Sequence, residues 1–139
     1  MKVSTFLLMS MMIIIIVPTV FYMGYQHYMI LEIREIPLDL TVFDGVAMNT
    51  EQDALHMGGT TPGGAVRRKF RVENTHSVPV QASIEHEPFP FEIKMEPLNF
   101  MVEKGESKQV DVGIRIPRNA SPGIYNTTVR VTIRRITGR

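Results

Sequence analysis

The hydrophobic rhythm of the chain changes once. From Phe6 to Tyr25 almost every position is apolar, with Ile13, Ile14, Ile15 and Ile16 at the centre, and no charged residue lies between Lys2 and Glu32. Twenty residues rising ~1.5 Å each cover ~30 Å, the thickness of a bilayer's hydrocarbon core. The run therefore predicts a transmembrane helix within residues 1–31, whose span includes Phe6, Ile13, Ile16, Pro18 and Tyr25. Pro18 is tolerated in such a helix when neighbouring groups re-satisfy the freed carbonyl. Tyr22, Tyr25 and Tyr28 sit at the outer end, where amphipathic rings favour the headgroup layer.

After that run the period becomes two. Leu38, Leu40 and Val42 alternate with Asp39, Thr41 and Phe43, and Pro37 before them predicts a first strand that breaks or switches sheets at the proline. Val66, Phe70 and Val72 share one face against Arg67, Lys69, Arg71 and Glu73, and Asn74 ends that strand. Val78, Val80, Ala82 and Ile84 then oppose Pro79, Gln81, Ser83 and Glu85; the spacer Thr75, His76 and Ser77 has hairpin length. Pro88 and Pro90 mark an extended crossing. Phe91, Ile93 and Met95, then Phe100 and Val102, then Val110, Val112, Ile114 and Ile116, and finally Tyr125, Thr127, Val129, Val131 and Ile133 give the remaining strands. Between the first strand and the second, residues 44–64 carry six glycines and prolines and no period, and predict a long flexible loop.

About seven short strands, turn signals every eight to twelve residues and no helical period after the anchor predict an all-β sandwich over residues 32–139, with a small closed barrel as the alternative. A chain of 139 residues has room for one such domain.

Charge and cysteine content narrow the setting. Outside the first thirty-one residues there are fourteen basic and fourteen acidic side chains, which predicts no nucleic-acid partner. The chain has no cysteine, so neither a disulfide nor a thiolate metal site can form, and a small exported domain without staples suits a prokaryotic envelope. A cleaved signal peptide also begins with a lysine and an apolar stretch, but Phe21, Tyr22, Met23 and Gly24 offer no small-residue cleavage pattern, so a retained anchor is the reading adopted. Lys2 precedes the span and Glu32, Arg34 and Glu35 follow it; the positive-inside rule then places the N-terminus inside and the C-terminal domain outside the cell membrane.

Several short pieces carry a family pattern. They are Gly58 with Pro62, Gly63 and Gly64 before a strand; Phe70 to Asn74; Pro79 and Val80; Pro97, Phe100 and Val102; Gly105, Glu106 and Ser107; Val110 to Pro117; and Asn119 to Tyr125, followed by Val129 and Val131. From Gly58 to Ile133 the chain resembles the immunoglobulin-like domains that include the ASH-type and the alpha-galactosidase-associated families. The resemblance implies an accessory module of cell-surface, envelope or membrane-complex proteins, and it brings no catalytic residues. Physically, glycine and proline set the turns, Asn74 closes a strand end by bonding local backbone, and Tyr125 can bury its ring while its hydroxyl reaches backbone at the corner.

Candidate chemistry is sparse. His27, His56, His76 and His86 are scattered, and only His86, between Glu85 and Glu87, has carboxylates beside it, so no metal or cofactor is expected. Glycines 58–64 precede a strand, whereas a phosphate cradle needs a helix N-terminus. Glu85, Glu87, Glu92 and Glu96 fall on outward faces without an apolar pocket to tune them, so no catalytic residue or small-molecule substrate is assigned. Arg67, Lys69 and Arg71 on one strand and Arg130 and Arg134 on another form a basic docking patch if those strands share a sheet; it would suit an acidic envelope protein, a glycan or headgroups. Asn126, in an N-x-T sequon on the outward phase, and Asn119, in a second match weakened by Pro122, are candidate glycosylation sites. The function expected is a non-enzymatic membrane-anchored accessory or structural subunit that binds another membrane or envelope protein. The alternative is a surface-layer, adhesin or filament-associated component that binds glycan or self-assembles.

Overall fold

The computed structural model of the chain describes residues 2–43 and 55–136. One helix, α1 (Lys2–Met29), leads directly into β1 (Ile30–Val42) without a linker. It is followed by β2 (Leu55–Thr60), β3 (Ala65–Glu73), β4 (Val80–His86), β5 (Glu92–Glu96), β6 (Asn99–Val102), β7 (Ser107–Arg115) and β8 (Gly123–Arg135). The strands form two sheets, ordered β2-β1-β8-β4-β6 and β3-β7-β5. The chain is an all-β sandwich preceded by one apolar helix.

α1 runs through Pro18 unbroken. Two of its hydroxyls bond the helix's own backbone: Ser10 donates to the Leu7 carbonyl at 2.9 Å and Thr19 to the Ile15 carbonyl at 2.7 Å. The stretch Thr5–Met29 is long and apolar enough to cross a membrane, none of its most apolar window is buried in the protein, and its last turn meets the sandwich at Tyr28. Ile30 to Val42 cannot prolong the helix, because Glu32, Arg34 and Glu35 bring charge, Ile30, Ile33 and Ile36 are β-branched, and Pro37 lacks a donor.

The sandwich core forms where the inward phases of both sheets meet. Leu38, Leu40, Val42, Val80, Ala82, Ile84, Val129, Val131 and Ile133 from the larger sheet face Val72, Met95, Val110, Val112 and Ile114 from the smaller one, and all are buried. Full burial of each aliphatic side chain contributes about 1.5–3 kcal/mol relative to exposure. With no cysteine to staple it, the domain rests on this layer.

Three expectations are corrected. Pro37 neither breaks nor diverts β1: its register with β8 continues through Pro37↔Thr128. Among the described residues β2 pairs with β1 only from Leu38 onward, so no described strand lies beside Pro37 on that side, where a missing N–H is tolerated. Within the expected loop 44–64, Leu55–Thr60 forms β2, parallel to β1, with Met57 fully buried; residues 44–54 lie outside the described residues. Strands β3 and β4, joined by a spacer of hairpin length, belong to different sheets, so that connection crosses the core rather than folding back on itself. The described strands number eight, and β2 accounts for the excess over the sequence-based expectation.

β1 rises from the helix, and β8 descends antiparallel beside it from Val42↔Gly123 to Ile30↔Arg134. The β3–β4 connection and the β6–β7 turn therefore lie at the helix-proximal end. Thr61 to Gly64, Glu87 to Phe91 and Pro117 to Pro122 lie at the distal end.

Candidate interaction surface

At the helix-proximal end three polar side chains from two segments converge, two from β1 and one from the β3–β4 connection. Arg34 Nε donates to Glu32 Oε1 at 2.5 Å, and His76 Nε2, from the β3–β4 connection, lies 3.4 Å from Glu32 Oε2 without hydrogen-bond geometry. Hydrogen bonding to Arg34 is the main cause that holds the Glu32 carboxyl below its ordinary value of 4.5; the charge of Arg34 and the nearby His76 act the same way, and partial burial opposes them. Arg135, near the end of β8, donates through Nη1 to the Tyr28 hydroxyl, and its guanidinium lies 4.4 Å from the Tyr28 ring centroid. The sandwich is thus tied to the last turn of α1 by Arg135 of its last strand, in addition to the direct passage of the chain into β1.

Asn74 organises the same end. It is 1% exposed, and its Nδ2 donates to the carbonyls of Val78 at 2.9 Å and Val102 at 3.0 Å, while Oδ1 accepts from the His76 amide at 2.9 Å. Its own amide and carbonyl bond Glu106 and Gly105. At the distal end the Tyr125 hydroxyl donates to the Ser121 carbonyl at 2.7 Å, and its ring meets Phe91 at 4.5 Å in an edge-on contact.

The five basic residues do not form one patch. Arg67, Lys69 and Arg71 project outward from β3 in the three-stranded sheet, whereas Arg130 and Arg134 project outward from β8 in the five-stranded sheet, on the opposite side of the molecule. Alternation gives the same outward phase on any strand, so sheet membership is invisible to it. Each group is also partly neutralised: Lys69 lies 3.4 Å from Asp111, and Arg130 Nη2 lies 3.0 Å from Glu35. Arg68 takes the inward phase of β3, yet it is exposed, and its Nη2 lies 3.4 Å from where a β-carbon on Gly58 of β2 would stand.

The outer face of the three-stranded sheet is a shallow depression of about 800 Å3. Its floor is Gly113, near the distal end of the central strand, and Arg67, Lys69, Lys94 and Glu96 rise around it. A β-carbon on Gly113 would meet nothing closer than 3.8 Å, so the chain's own packing does not require glycine there. The outer face of the five-stranded sheet has a band of small and apolar side chains in register across four strands: Ile33, Thr132, Ser83 and Asn99. Beside it runs the row Glu35, Arg130 and Glu85.

Asn126 lies on that face, exposed and opposite Asp39 on β1, and Asn119 is exposed in the turn after Pro117. Phe6, Ile13, Ile16, Pro18 and Tyr25 all lie on α1 and are exposed. His86 ends β4 with Nδ1 2.8 Å from the Glu87 carbonyl oxygen, and among the described residues no three histidine, aspartate or glutamate side chains gather as metal ligands would. Glu92 and Glu96 project outward from β5, and Glu85 outward from β4. The Tyr28–Arg135 pair is separated by 107 residues in the chain and leaves no local signal in the sequence. No protein-family model matches this chain, and a search of curated proteins returns no match.

Proposed function

We propose that this chain is a single-pass, membrane-anchored interaction subunit whose sandwich, immunoglobulin-like and of the ASH-type or alpha-galactosidase-associated kind, stands on the outer face of the cell membrane and binds another membrane or envelope protein without catalysing a reaction. The observation that carries this reading is the junction. An apolar helix whose membrane-length stretch is unburied among the described residues enters the sandwich with no linker, and Arg135 at the end of the last strand holds Tyr28 in the last turn of the helix. A rigid mount of this kind suits a domain that presents a surface at fixed height and orientation above the bilayer, since preorganisation lowers the cost of binding. Lys2 before the span and the charged residues after it support the N-in orientation.

The test is photo-crosslinking of the full chain in native membranes from exposed positions on β3 and β8, repeated with the span replaced by leucines of equal number. The reading predicts discrete protein adducts from the sandwich, and loss of those that depend on lateral packing of α1 when the span is exchanged. Chain recovered in the soluble fraction, or adducts indifferent to both position and span, would contradict it.

A further inference from the structure

We propose that the outer face of the five-stranded sheet is a self-complementary interface, through which two copies of this chain in the same membrane pair about a twofold axis running along the strands between β8 and β4. The proposal rests on the anchored reading above and adds the partner's identity.

Parallel anchoring restricts the symmetry first. Two copies inserted in one bilayer with the same orientation can be related only by a twofold normal to that bilayer. Because β1 continues directly from α1, an axis along the strands meets this condition and leaves both helices pointing the same way.

The register then decides what such an axis brings together. A face-to-face twofold between β8 and β4 lays each copy's β8 over the other's β4, and each β1 over the other's β6. Arg130 and Glu85 are direct cross-strand partners, both outward and exposed, so Arg130 of each copy falls over Glu85 of the other, twice. Within its own chain Arg130 is held from the opposite side by Glu35, and Glu85 has no ion pair among the described residues. One row nearer the membrane Thr132 meets Ser83, and one row further Arg134 meets Gln81. At the flanks Ile33, 52% exposed, comes over the other copy's β6, beside Met101, 47% exposed. No like charges are opposed across this axis. The charges near the axis are balanced, Glu35 and Glu85 against Arg130 and Arg134, and Asp39 adds a carboxylate towards the distal end of the face.

The outer face of the three-stranded sheet offers less: an axis between β3 and β7 would lay Lys69 over Asp111, a pair each chain already makes internally at 3.4 Å. An axis along β7 would oppose Arg115 to Arg115 and Asp111 to Asp111, and would set Arg67 over Lys94.

The size fits a pairing that needs the membrane. Four strands about 4.8 Å apart, over a height of six or seven residues, offer roughly 400 Å2 per copy, below the about 800 Å2 per partner of a stable soluble complex. Confinement to a bilayer raises the effective concentration and compensates for that shortfall.

The experiment uses full-length chain, labelled with donor or acceptor dye, in vesicles of neutral phosphatidylcholine, with energy transfer read as the lipid-to-protein ratio rises. Glu85→Arg alone opposes Arg130 to the new arginine, and Arg130→Glu alone opposes Glu85 to the new glutamate; each variant by itself loses association by at least about tenfold. Mixed one to one, the two variants face each other with both pairs restored, and energy transfer returns towards the unmodified level. Variants that associate as well as the unmodified chain, or a mixture that does not recover, would overturn the pairing. Vesicle flotation on the same samples separates the two readings: chain that floats without self-association refutes the twofold and leaves the anchored subunit standing, whereas chain that does not float refutes both.

Discussion

Asn74 is placed where three pieces of chain meet: the end of β3, the crossing to β4 and the turn into β7. A backbone amide cannot reach all three, and an amide side chain with two donors and an acceptor can. The sequence reading assigned it to closing a strand end, and the structure places it there with a wider role, since one of its bonds spans 28 residues to Val102. Asn74→Ala leaves buried carbonyls unsatisfied and is predicted to destabilise the domain by roughly 2–4 kcal/mol, measured as a lowered denaturation midpoint in detergent. A change below about 0.5 kcal/mol would mean that water replaces the side chain. Tyr125 was equally legible, because a tyrosine two residues after a Pro-Gly corner has few ways to satisfy its hydroxyl except by returning to the turn.

At the scale of elements, strands with a clean period of two were readable and those defined by pairing alone were not. β7 and β8 bury every second residue over most of their length, which is the pattern their side chains spell out. β2 spells out little: Leu55 and Met57 are followed by Gly58, Gly59 and Thr60, and it is a strand because its backbone completes the edge beside β1. Gly59 allows this, since a β-carbon there would overlap the Phe43 ring at 1.8 Å. The junction of α1 and β1 is likewise a product of pairing at a distance, and its polar cluster has a pH signature. Arg34 depresses the Glu32 pKa in the folded state, so the cluster's contribution is present above the ordinary 4.5 and is lost as pH falls through the lower folded value. Glu32→Gln should therefore lower the thermal midpoint at neutral pH, and the two proteins should converge as the pH is taken below that value. Melting curves followed by circular dichroism in detergent, at a series of pH values, check this; a constant difference down to the acid limit would show that Glu32 is not coupled to folding.

For the whole molecule, alternation identified two-faced strands and could not say which sheet each one joins. That is why Arg67, Lys69 and Arg71 were readable as outward and basic, and Arg130 and Arg134 likewise, while their placement on opposite sides of the sandwich was not. The separation gives the domain two distinct outer faces. One is charged and hollowed around Gly113, and the other is balanced, with an uncharged band from Ile33 to Asn99. Under the proposed function both are held above the bilayer by the passage of α1 into β1 and the Arg135–Tyr28 contact. The chain has no cysteine, so single-cysteine variants report topology without background. Thr61→Cys, in the exposed distal turn, and Ser4→Cys, before the span, can be treated with a membrane-impermeant maleimide on intact cells. The account predicts that the cysteine at position 61 is labelled at once and the one at position 4 only after permeabilisation, with both chains remaining in the membrane pellet after an alkaline wash. Labelling in the reverse order, or release of the chain by the wash, would contradict it.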